Sequence, residues 1–305
     1  MDTVVTPKRL SRALGVSESS VKRWCDQGEI QTHYTLGGHR RIAVSTIMAL
    51  VREGKFALVA PEALGLPATS GHSRRVVERA REGLTGALLE GNESRCRQLI
   101  FDLFVAGQRP SVICDEVVAA AFADIGARWS CGEAEVYQER RACEIACHIL
   151  REVQSRLAPV AEDGVLALGG APAGDQYSLG TKMVELVLRD AQWNAVSLGN
   201  NLPFSTIEAA IADKRPKLFW LSCSHIADPQ EFLTSYAALH KKFNTQVAFV
   251  VGGSALSCQL RQQMDYSAFC DNMQHLEGFA RTMRLAIENR TSLHPSDLCA
   301  AQATK

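Results

Sequence analysis

The spacing of hydrophobic positions divides the chain into regions of different structure. Between residues 74 and 157, apolar residues recur at the helical spacing of about three to four positions, and no strand-like alternation interrupts them. Four amphipathic helices of this length predict a helical bundle. The predicted helices are Arg74–Glu90, Ser94–Val105, Ser111–Arg128 and Glu133–Arg156.

After Pro159 the pattern changes to short apolar segments that alternate with helical ones. The predicted strands are Val165–Leu168, Ala195–Leu198, Leu218–Leu221 and Val247–Val251, and the predicted helices are Leu179–Ala191, Thr206–Lys214 and Gln230–Phe243. Strands that alternate with helices indicate a parallel sheet with right-handed crossovers.

The first 55 residues predict two short helices joined by a tight turn. Thr6 and Pro7 are typical of an N-cap and a first helical residue, Gly15 ends this helix, and Ser17 caps a second one that continues to Gly28. The second helix presents polar side chains outward, namely Ser19, Ser20, Lys22 and Arg23. Val21 and Trp24 point back to the core.

A hairpin and an excess of positive charge follow in the same region. Gly37 and Gly38 permit a sharp turn, and the tip and arm of the hairpin carry His39, Arg40 and Arg41. Residues 1–55 hold nine Lys and Arg against five Asp and Glu, a net charge of +4 in a chain whose total is zero, which favours a polyanionic partner. The Pro-, Gly- and Ala-rich stretch that follows predicts a linker over residues 56–73.

Residues 4–55 resemble the MerR-type winged helix-turn-helix, and within it the compact BldC-like and excisionase-like branch. The resemblance rests on Gly15-Val16-Ser17, Val21-Lys22-Arg23-Trp24 and Gly37-Gly38-His39-Arg40-Arg41. It implies binding to double-stranded DNA, with Lys22 and Arg23 in the major groove and Arg40 and Arg41 on phosphate or in the minor groove. The alternative is a small basic domain that binds protein.

A second motif lies at the expected carboxyl end of the sheet. Gly174 to Gly180 follows the first strand, Ser222-Cys223-Ser224 comes after 41 further residues, and Gly252-Gly253 after 27 more. This spacing resembles the cobalamin-binding module and implies a flavodoxin-like sheet over about residues 160–290, with a groove for the nucleotide tail. The residues implied to form the groove are Asp175, Ser178, Gly180, Ser222, Ser224, Gly252 and Gly253. His225 either lines the pocket or caps the next helix.

A third motif joins the two regions. Trp129 and Glu139-Arg140 resemble the Trp-x9-Glu-His signature in the helical cap of CarH-like light-dependent repressors. The order of domains resembles that family too: winged helix-turn-helix (1–55), linker (56–73), four-helix bundle cap (74–158), cobalamin-binding-like α/β domain (159–290) and tail (291–305). The resemblance places Trp129 and Glu139 against the upper ligand of adenosylcobalamin.

Three departures from that pattern change the functional expectation. Tyr177 stands where the family's histidine ligates cobalt, and a phenol with a reference pKa of about 10 is a poor ligand while protonated. Arg140 replaces the cap histidine, and Ser130 replaces the histidine that follows the tryptophan. We therefore expect a degenerate sensory domain that is independent of light or senses another small molecule. Cobalamin without a histidine ligand remains the candidate cofactor, and a working photoreceptor remains the alternative.

Composition adds limits on location and chemistry. The N-terminus has no leader pattern and no apolar run approaches the ~20 residues of a membrane span, so we expect a cytoplasmic protein without a membrane partner. Ten cysteines without CxxC spacing predict reduced thiols and no metal site. Two weaker alternatives are metal binding or oxidation sensing by Cys143, Cys147 and His148, and haem ligation by Tyr177.

The function predicted from these patterns is a DNA-binding transcription regulator rather than an enzyme. Because one winged domain has a small footprint on DNA, we expect a homo-oligomer, either a dimer or a tetramer. Two other classes stay open: a corrinoid-carrying methyltransferase module over residues 74–290, and a scaffold that binds partners without a ligand.

Overall fold

The computed structural model describes residues 4–35, 37–52, 55–66, 74–161 and 164–291. The chain divides into two compact units, residues 1–149 and 150–305. The first holds the helix-turn-helix region and most of the bundle, and the second holds the α/β region.

The N-terminal region of the first unit has the predicted helices and hairpin. Its elements are β1 (Val4–Val5), α1 (Pro7–Leu14), α2 (Glu18–Asp26), β2 (His33–Tyr34), β3 (Arg40–Ala43) and α3 (Val44–Arg52). The three strands pair antiparallel in the order β1-β3-β2. The Thr6 hydroxyl accepts a hydrogen bond from the backbone of Arg9, and Gly15 ends α1 in the left-handed conformation. The helix-turn-helix and its wing are therefore confirmed.

The start predicted for the linker, residue 56, is too early in the chain. Leu58 and Leu64 are fully buried in the core of the helix-turn-helix region, and the backbone N–H groups of Val59 and Ala60 donate to the carbonyl of Ala13 at 2.7 and 3.0 Å. A 3-10 helix at Pro61–Leu64 turns the chain along this core. The proline and glycine here make a turn around apolar anchors, so residues 55–66 belong to the domain, and the rest of the expected linker, 67–73, lies outside the described residues.

The four predicted bundle helices are confirmed. They are α4 (Arg74–Glu90), α5 (Glu93–Val105), a run made of α6 (Pro110–Val112), a π-helix (Ile113–Ala119) and α7 (Ala120–Ser130), and α8 (Val136–Gln154), whose last turns belong to the second unit. Leu84, Leu99 and Val117 are buried between them.

The second unit is a five-stranded parallel sheet in the order β5-β4-β6-β7-β8. Its elements are β4 (Leu166–Gly170), α9 (Leu179–Asp190), β5 (Asn194–Ser197), α10 (Phe204–Lys214), β6 (Leu218–Ser222), α11 (Pro229–Phe243), β7 (Ala248–Gly252), α12 (Cys258–Arg261), β8 (Ala268–Cys270) and α13 (Met273–Thr291). The predicted flavodoxin-like sheet is confirmed, and β8, α12 and α13 are additions to the predicted elements.

The two faces of this sheet are covered by different helices. Phe219 and Leu221 of β6 belong to the core under α10 and α11, whereas Trp220, which alternates with them, contacts α9 on the other face. Residues 292–305, most of the expected tail, lie outside the described residues. None of the described helices combines the length and apolarity that crossing a bilayer requires.

Candidate functional site

The N-terminus of α2 carries a cluster of hydroxyl groups. The Ser17 hydroxyl lies 2.8 Å from that of Ser19 and 2.9 Å from that of Ser20, and it accepts a hydrogen bond from the Ser20 backbone at 3.1 Å. The end of a helix that presents backbone N–H groups carries a partial positive charge and favours anions. Ser19 and Ser20 thus lie where a phosphate would be favoured.

The outer face of α2 presents the two cations expected there. Lys22 and Arg23 are exposed, while Val21 is fully buried. The Lys22 ammonium lies 2.9 Å from the Glu18 carboxylate, one turn earlier on the same helix. Exposed pairs of this kind are weak, so Lys22 can exchange Glu18 for a stronger anion.

The two wing arginines have different surroundings. The Arg40 guanidinium donates to the Lys22 carbonyl at 3.1 Å and forms an ion pair with Asp26 at 2.5 Å, which leaves its side chain 24% exposed. Arg40 therefore connects the wing to α2. Arg41 donates to the carbonyl of Arg40 at 3.1 Å, and His39 is exposed in the loop. The sequence pattern predicted the same DNA contact for both arginines. It did not indicate Asp26, because the spacing between Asp26 and Arg40 is too long for a local pattern.

Asp175 organises the carboxyl end of the parallel sheet. Its side chain is fully buried, and one carboxylate oxygen accepts from the Tyr177 backbone at 3.0 Å. The other oxygen accepts from the backbone of Ser224 at 2.6 Å and of His225 at 3.1 Å. One carboxylate thus connects the loop after β4 to the loop after β6.

Two asparagines that the sequence analysis missed add a third loop. The Asn201 side-chain oxygen accepts from the Gly174 backbone at 2.8 Å, and the Asn200 amide donates to the Gln176 carbonyl at 2.6 Å. Asn201 has a φ of 54°, a left-handed conformation that asparagine adopts more readily than most residues. The sequence signal for this loop was the adjacent pair Asn200-Asn201 shortly after a predicted strand.

The remaining loop residues lie beside this network. Tyr177 and Ser178 are half-buried just before α9, and His225 is exposed. His225 does not cap the next helix, because Asp228 does so, accepting from the backbone of Gln230 at 2.9 Å and of Glu231 at 3.0 Å. The capping alternative for His225 is therefore wrong, and pocket lining stays a prediction.

The glycines of the motif allow parts of this chain to approach one another. A Cβ at Gly180 would lie 2.6 Å from the Ser222 hydroxyl, and one at Gly252 would lie 2.9 Å from the Cys270 carbonyl. A Cβ at Gly253, whose φ is 109°, would collide with the backbone of Cys223. The space that a side chain would take is thus occupied by the protein itself at all three positions.

Trp220 lies on the same face of β6 as Ser222, two residues further from the carboxyl edge. Its side chain is buried, and the indole N–H donates to the Thr181 hydroxyl at 2.9 Å. Thr181 in turn lies 3.2 Å from the Ser197 hydroxyl. The indole ring covers Gly169 on the neighbouring strand, where a Cβ would collide with it.

The bundle residues of the predicted site lie at the α7–α8 junction. Trp129, near the end of α7, is 54% exposed, and Glu139 and Arg140 are in the first turns of α8, half-buried and exposed respectively. The Ser130 hydroxyl donates to the Ala127 carbonyl of its own helix at 2.7 Å. Trp129, Glu139 and Arg140 belong to the first unit, and the motif residues of the sheet belong to the second.

The Cys143 thiol of α8 has an environment that disfavours redox chemistry. Burial raises the pKa of Cys143 to about 12, and the nearby Glu139 acts in the same direction. The His148 ring lies 3.2 Å from the Glu93 carboxylate. A protonated, desolvated thiol is a poor nucleophile, so the environment of Cys143 disfavours its part in the redox alternative.

Comparison with known proteins finds family matches in the helix-turn-helix region and in the bundle. Residues 4–56 match the family described as helix-turn-helix domain, and residues 80–153 match the family described as B12 binding domain. The chain is 28% identical to the HTH-type transcriptional repressor CarA of Myxococcus xanthus over 119 residues, which span 39% of each protein. A helix-turn-helix domain followed by a B12-binding-type domain is the fused architecture that the sequence predicted.

A solved structure has a similar fold. It is the monomethylamine corrinoid protein of Methanosarcina barkeri, with a TM-score of 0.58 and 16% identity, covering 68% of this chain and 99% of that one. At this identity the likeness concerns the fold alone.

Proposed function

We propose that this protein is a transcription regulator that binds double-stranded DNA through α2 and the wing. The observation that carries the proposal is the surface formed by α2 and β3, where exposed Lys22 and Arg23 stand beside a hydroxyl-rich helix N-terminus and a wing fixed to the same helix by Arg40. Its similarity to the helix-turn-helix domain family and to a transcriptional repressor supports this proposal.

The proposed roles follow from the position of each side chain. Arg23 and Lys22 enter the major groove, and the hydroxyls of Ser19 and Ser20 bind backbone phosphate at the helix end. His39 and Arg41 contact the backbone or the minor groove from the wing. Arg40 holds the wing at a constant angle to α2, so its contribution to DNA binding is mainly one of position.

The second part of the proposal concerns the sensory region. A ligand shifts a regulatory equilibrium only through different affinities for the two states. With Tyr177 in place of the ligating histidine, and with Arg140 and Ser130 in the cap, a histidine-based cobalt switch has none of the three histidines on which it would rely. We propose that DNA binding is independent of light and of histidine-ligated cobalamin.

Selection from a random duplex library with the full chain tests DNA binding. The selected sequence is then titrated at several salt concentrations with the Arg23→Ala and Arg41→Ala variants and with Lys241→Ala as a matched control, because Lys241 is an exposed cation on α11 of the other unit. If Arg41 contacts phosphate, its loss reduces the salt slope by about 1. A base contact by Arg23 is worth about 1–3 kcal/mol of discrimination. Failure to select any sequence, or equal losses in the Lys241 control, overturns the proposal.

A corrinoid-carrying module is the second candidate function, because the fold resembles a corrinoid protein over 68% of this chain. The helix-turn-helix region has no role in such a module. An absorption spectrum of the protein purified from its native host separates the two candidates, since a carrier retains a corrinoid and the proposed regulator does not.

A further inference from the structure

We infer that Trp220 fills the groove that would receive the nucleotide tail of a corrinoid, so that the α/β unit is complete without one. The inference deepens the proposed function, on which it rests, by naming the residue that closes the sensory region to cobalamin. It concerns a position that the cobalamin-binding spacing does not include.

The entrance of the groove lies at Gly180 and Ser222. The resemblance to the cobalamin-binding module implies a tail that passes Gly180 and Ser222 at the carboxyl edge of the sheet. In this protein the Ser222 hydroxyl lies 2.6 Å from the position of a Cβ on Gly180, and Ser222 is buried. The helix and the strand therefore already approach each other where the tail would pass.

The space behind that entrance is occupied by the Trp220 ring. Moving inward from Ser222 along the same face of β6, the next side chain is Trp220, which lies between the sheet and α9. Its ring covers Gly169, so the missing side chain of that glycine makes room for an indole rather than for a ligand. A group entering past Ser222 meets this ring.

The Trp220 side chain is chemically similar to the base of the tail. The indole of tryptophan and the benzimidazole base at the end of a cobalamin tail are both fused six- and five-membered aromatic rings of similar size. The indole N–H is satisfied by the Thr181 hydroxyl at 2.9 Å, and Thr181 is held near Ser197. Trp220 thus supplies from within the chain the kind of group that a bound tail would bring.

Polar groups around the groove are also satisfied without a ligand. Both carboxylate oxygens of Asp175 accept backbone hydrogen bonds. Among the described residues, the buried side-chain atoms that lack a partner belong to Arg81, Arg261 and Arg284, and none of these lies on the row from Ser222 to Trp220. The residues present therefore do not fit a corrinoid tail.

The first test compares two corrinoids on the wild-type full chain by absorbance titration. Cobinamide lacks the nucleotide tail of cobalamin, so a protein with an open tail groove prefers cobalamin. We expect affinities for the two within about threefold of each other, or binding of neither. A preference for cobalamin of about tenfold or more overturns the inference.

The second test removes the indole. A cavity left by a buried aromatic ring accepts an aromatic ligand of matching size. We expect the Trp220→Gly variant to bind 5,6-dimethylbenzimidazole, which raises the melting temperature of the variant. We also expect the variant to bind cobalamin at least about tenfold more tightly than wild type does, while its affinity for cobinamide stays unchanged. Trp193→Gly is the matched control, because Trp193 is equally buried in the same unit but donates to the Ala280 carbonyl instead.

The outcomes separate cleanly. The inference is overturned if the folded Trp220→Gly variant neither binds 5,6-dimethylbenzimidazole nor gains affinity for cobalamin. It is also overturned if the Trp193→Gly control gains affinity for these ligands to the same extent. If the glycine variant does not fold, Trp220→Leu keeps part of the apolar contact and is measured in the same way. Neither test uses DNA, so loss of the DNA-binding proposal in the selection experiment leaves these results interpretable, and the reverse holds as well.

Discussion

At the scale of single residues, Arg40 shows how one side chain can serve an interface without facing the partner. Its guanidinium joins β3 to α2 through the Lys22 carbonyl and Asp26, and lies 6.0 Å from the centre of the Tyr34 ring. A wing held in this way keeps its angle to α2. Asp26 is an acidic residue on the helix that we propose to face DNA, and its ion pair with Arg40 explains why an acidic residue stands there.

The sign of an Asp26 substitution tests this role. Asp26→Asn removes a negative charge, so simple attraction to phosphate predicts tighter DNA binding. If the main role of Asp26 is to hold Arg40 and the wing against α2, the variant instead binds the selected duplex about three- to tenfold more weakly. The effect of Asp26→Asn then does not add to that of Arg40→Ala. Fluorescence anisotropy at fixed salt measures both. Glu29→Gln, an exposed carboxylate in the turn after α2, serves as the control for charge alone.

A second residue-scale prediction concerns Asp175. Replacing it with Asn leaves only one oxygen to accept bonds from the backbone N–H groups of Tyr177, Ser224 and His225. Because partly buried donors then lose the acceptor that the fully buried Asp175 carboxylate provides, we expect a loss of about 1–3 kcal/mol in the free energy of unfolding of the α/β unit, measured with urea. Asp213→Asn, at an exposed position of α10, stays within about 0.5 kcal/mol of wild type.

The cysteines give a prediction about pH. Burial raises the pKa of Cys143 to about 12 and that of Cys270 to about 11, so little thiolate is present on either at about pH 8, whereas an unperturbed thiol near 8.5 is partly ionised. Iodoacetamide should label the exposed Cys131 and Cys258, which it can reach, before the half-buried Cys143 and Cys270, and labelling of the half-buried pair should speed up as the pH rises. Peptide mass spectrometry measures the order. Early labelling of Cys143 would revive the redox alternative.

At the scale of elements, the sequence predicted what periodicity and capping residues encode. The caps of α1 and α2, the four bundle helices and four parallel strands follow from local spacing. The strand β8 escaped prediction because Ala268–Cys270 is three residues long and half-buried, too short for a period. Asp26, Asn200 and Trp220 escaped because their partners lie far away in sequence, and only the fold brings such pairs together.

The helix-turn-helix region should extend to residue 66 rather than end at residue 55. A fragment ending at residue 66 retains Leu58 and Leu64, both fully buried, whereas one ending at 55 loses them. Since burial of a leucine side chain contributes about 1.5–3 kcal/mol, the longer fragment should be more stable by several kcal/mol. Thermal unfolding followed by circular dichroism measures the difference. A fragment of residues 1–66 carrying Leu58→Ala and Leu64→Ala should resemble the shorter one, and equal stability of all three contradicts the boundary.

At the scale of the whole molecule, the question is how one small winged domain achieves specificity. We expect the full chain to bind its selected duplex as a dimer or tetramer, because two half-sites multiply the contacts that a single α2 and wing make. Light scattering on the complex measures its mass. Removal of residues 67–305 should then weaken operator binding strongly. A monomer on DNA contradicts this arrangement.

Light should have no effect on operator binding, so the affinity of the full chain for DNA should be equal in darkness and in green light. Release of DNA by light contradicts this expectation.

The buried indole of Trp220 also has a consequence for how much of this protein a cell contains. A domain that folds around a bound molecule gains stability by mass action, so its melting temperature and its resistance to proteolysis rise with the supply of that molecule. A domain whose interior is filled by its own tryptophan is free of that linkage. The amount of this protein in the cell should therefore stay constant when the corrinoid supply varies. This is the behaviour expected of the proposed regulator, which does not sense cobalamin.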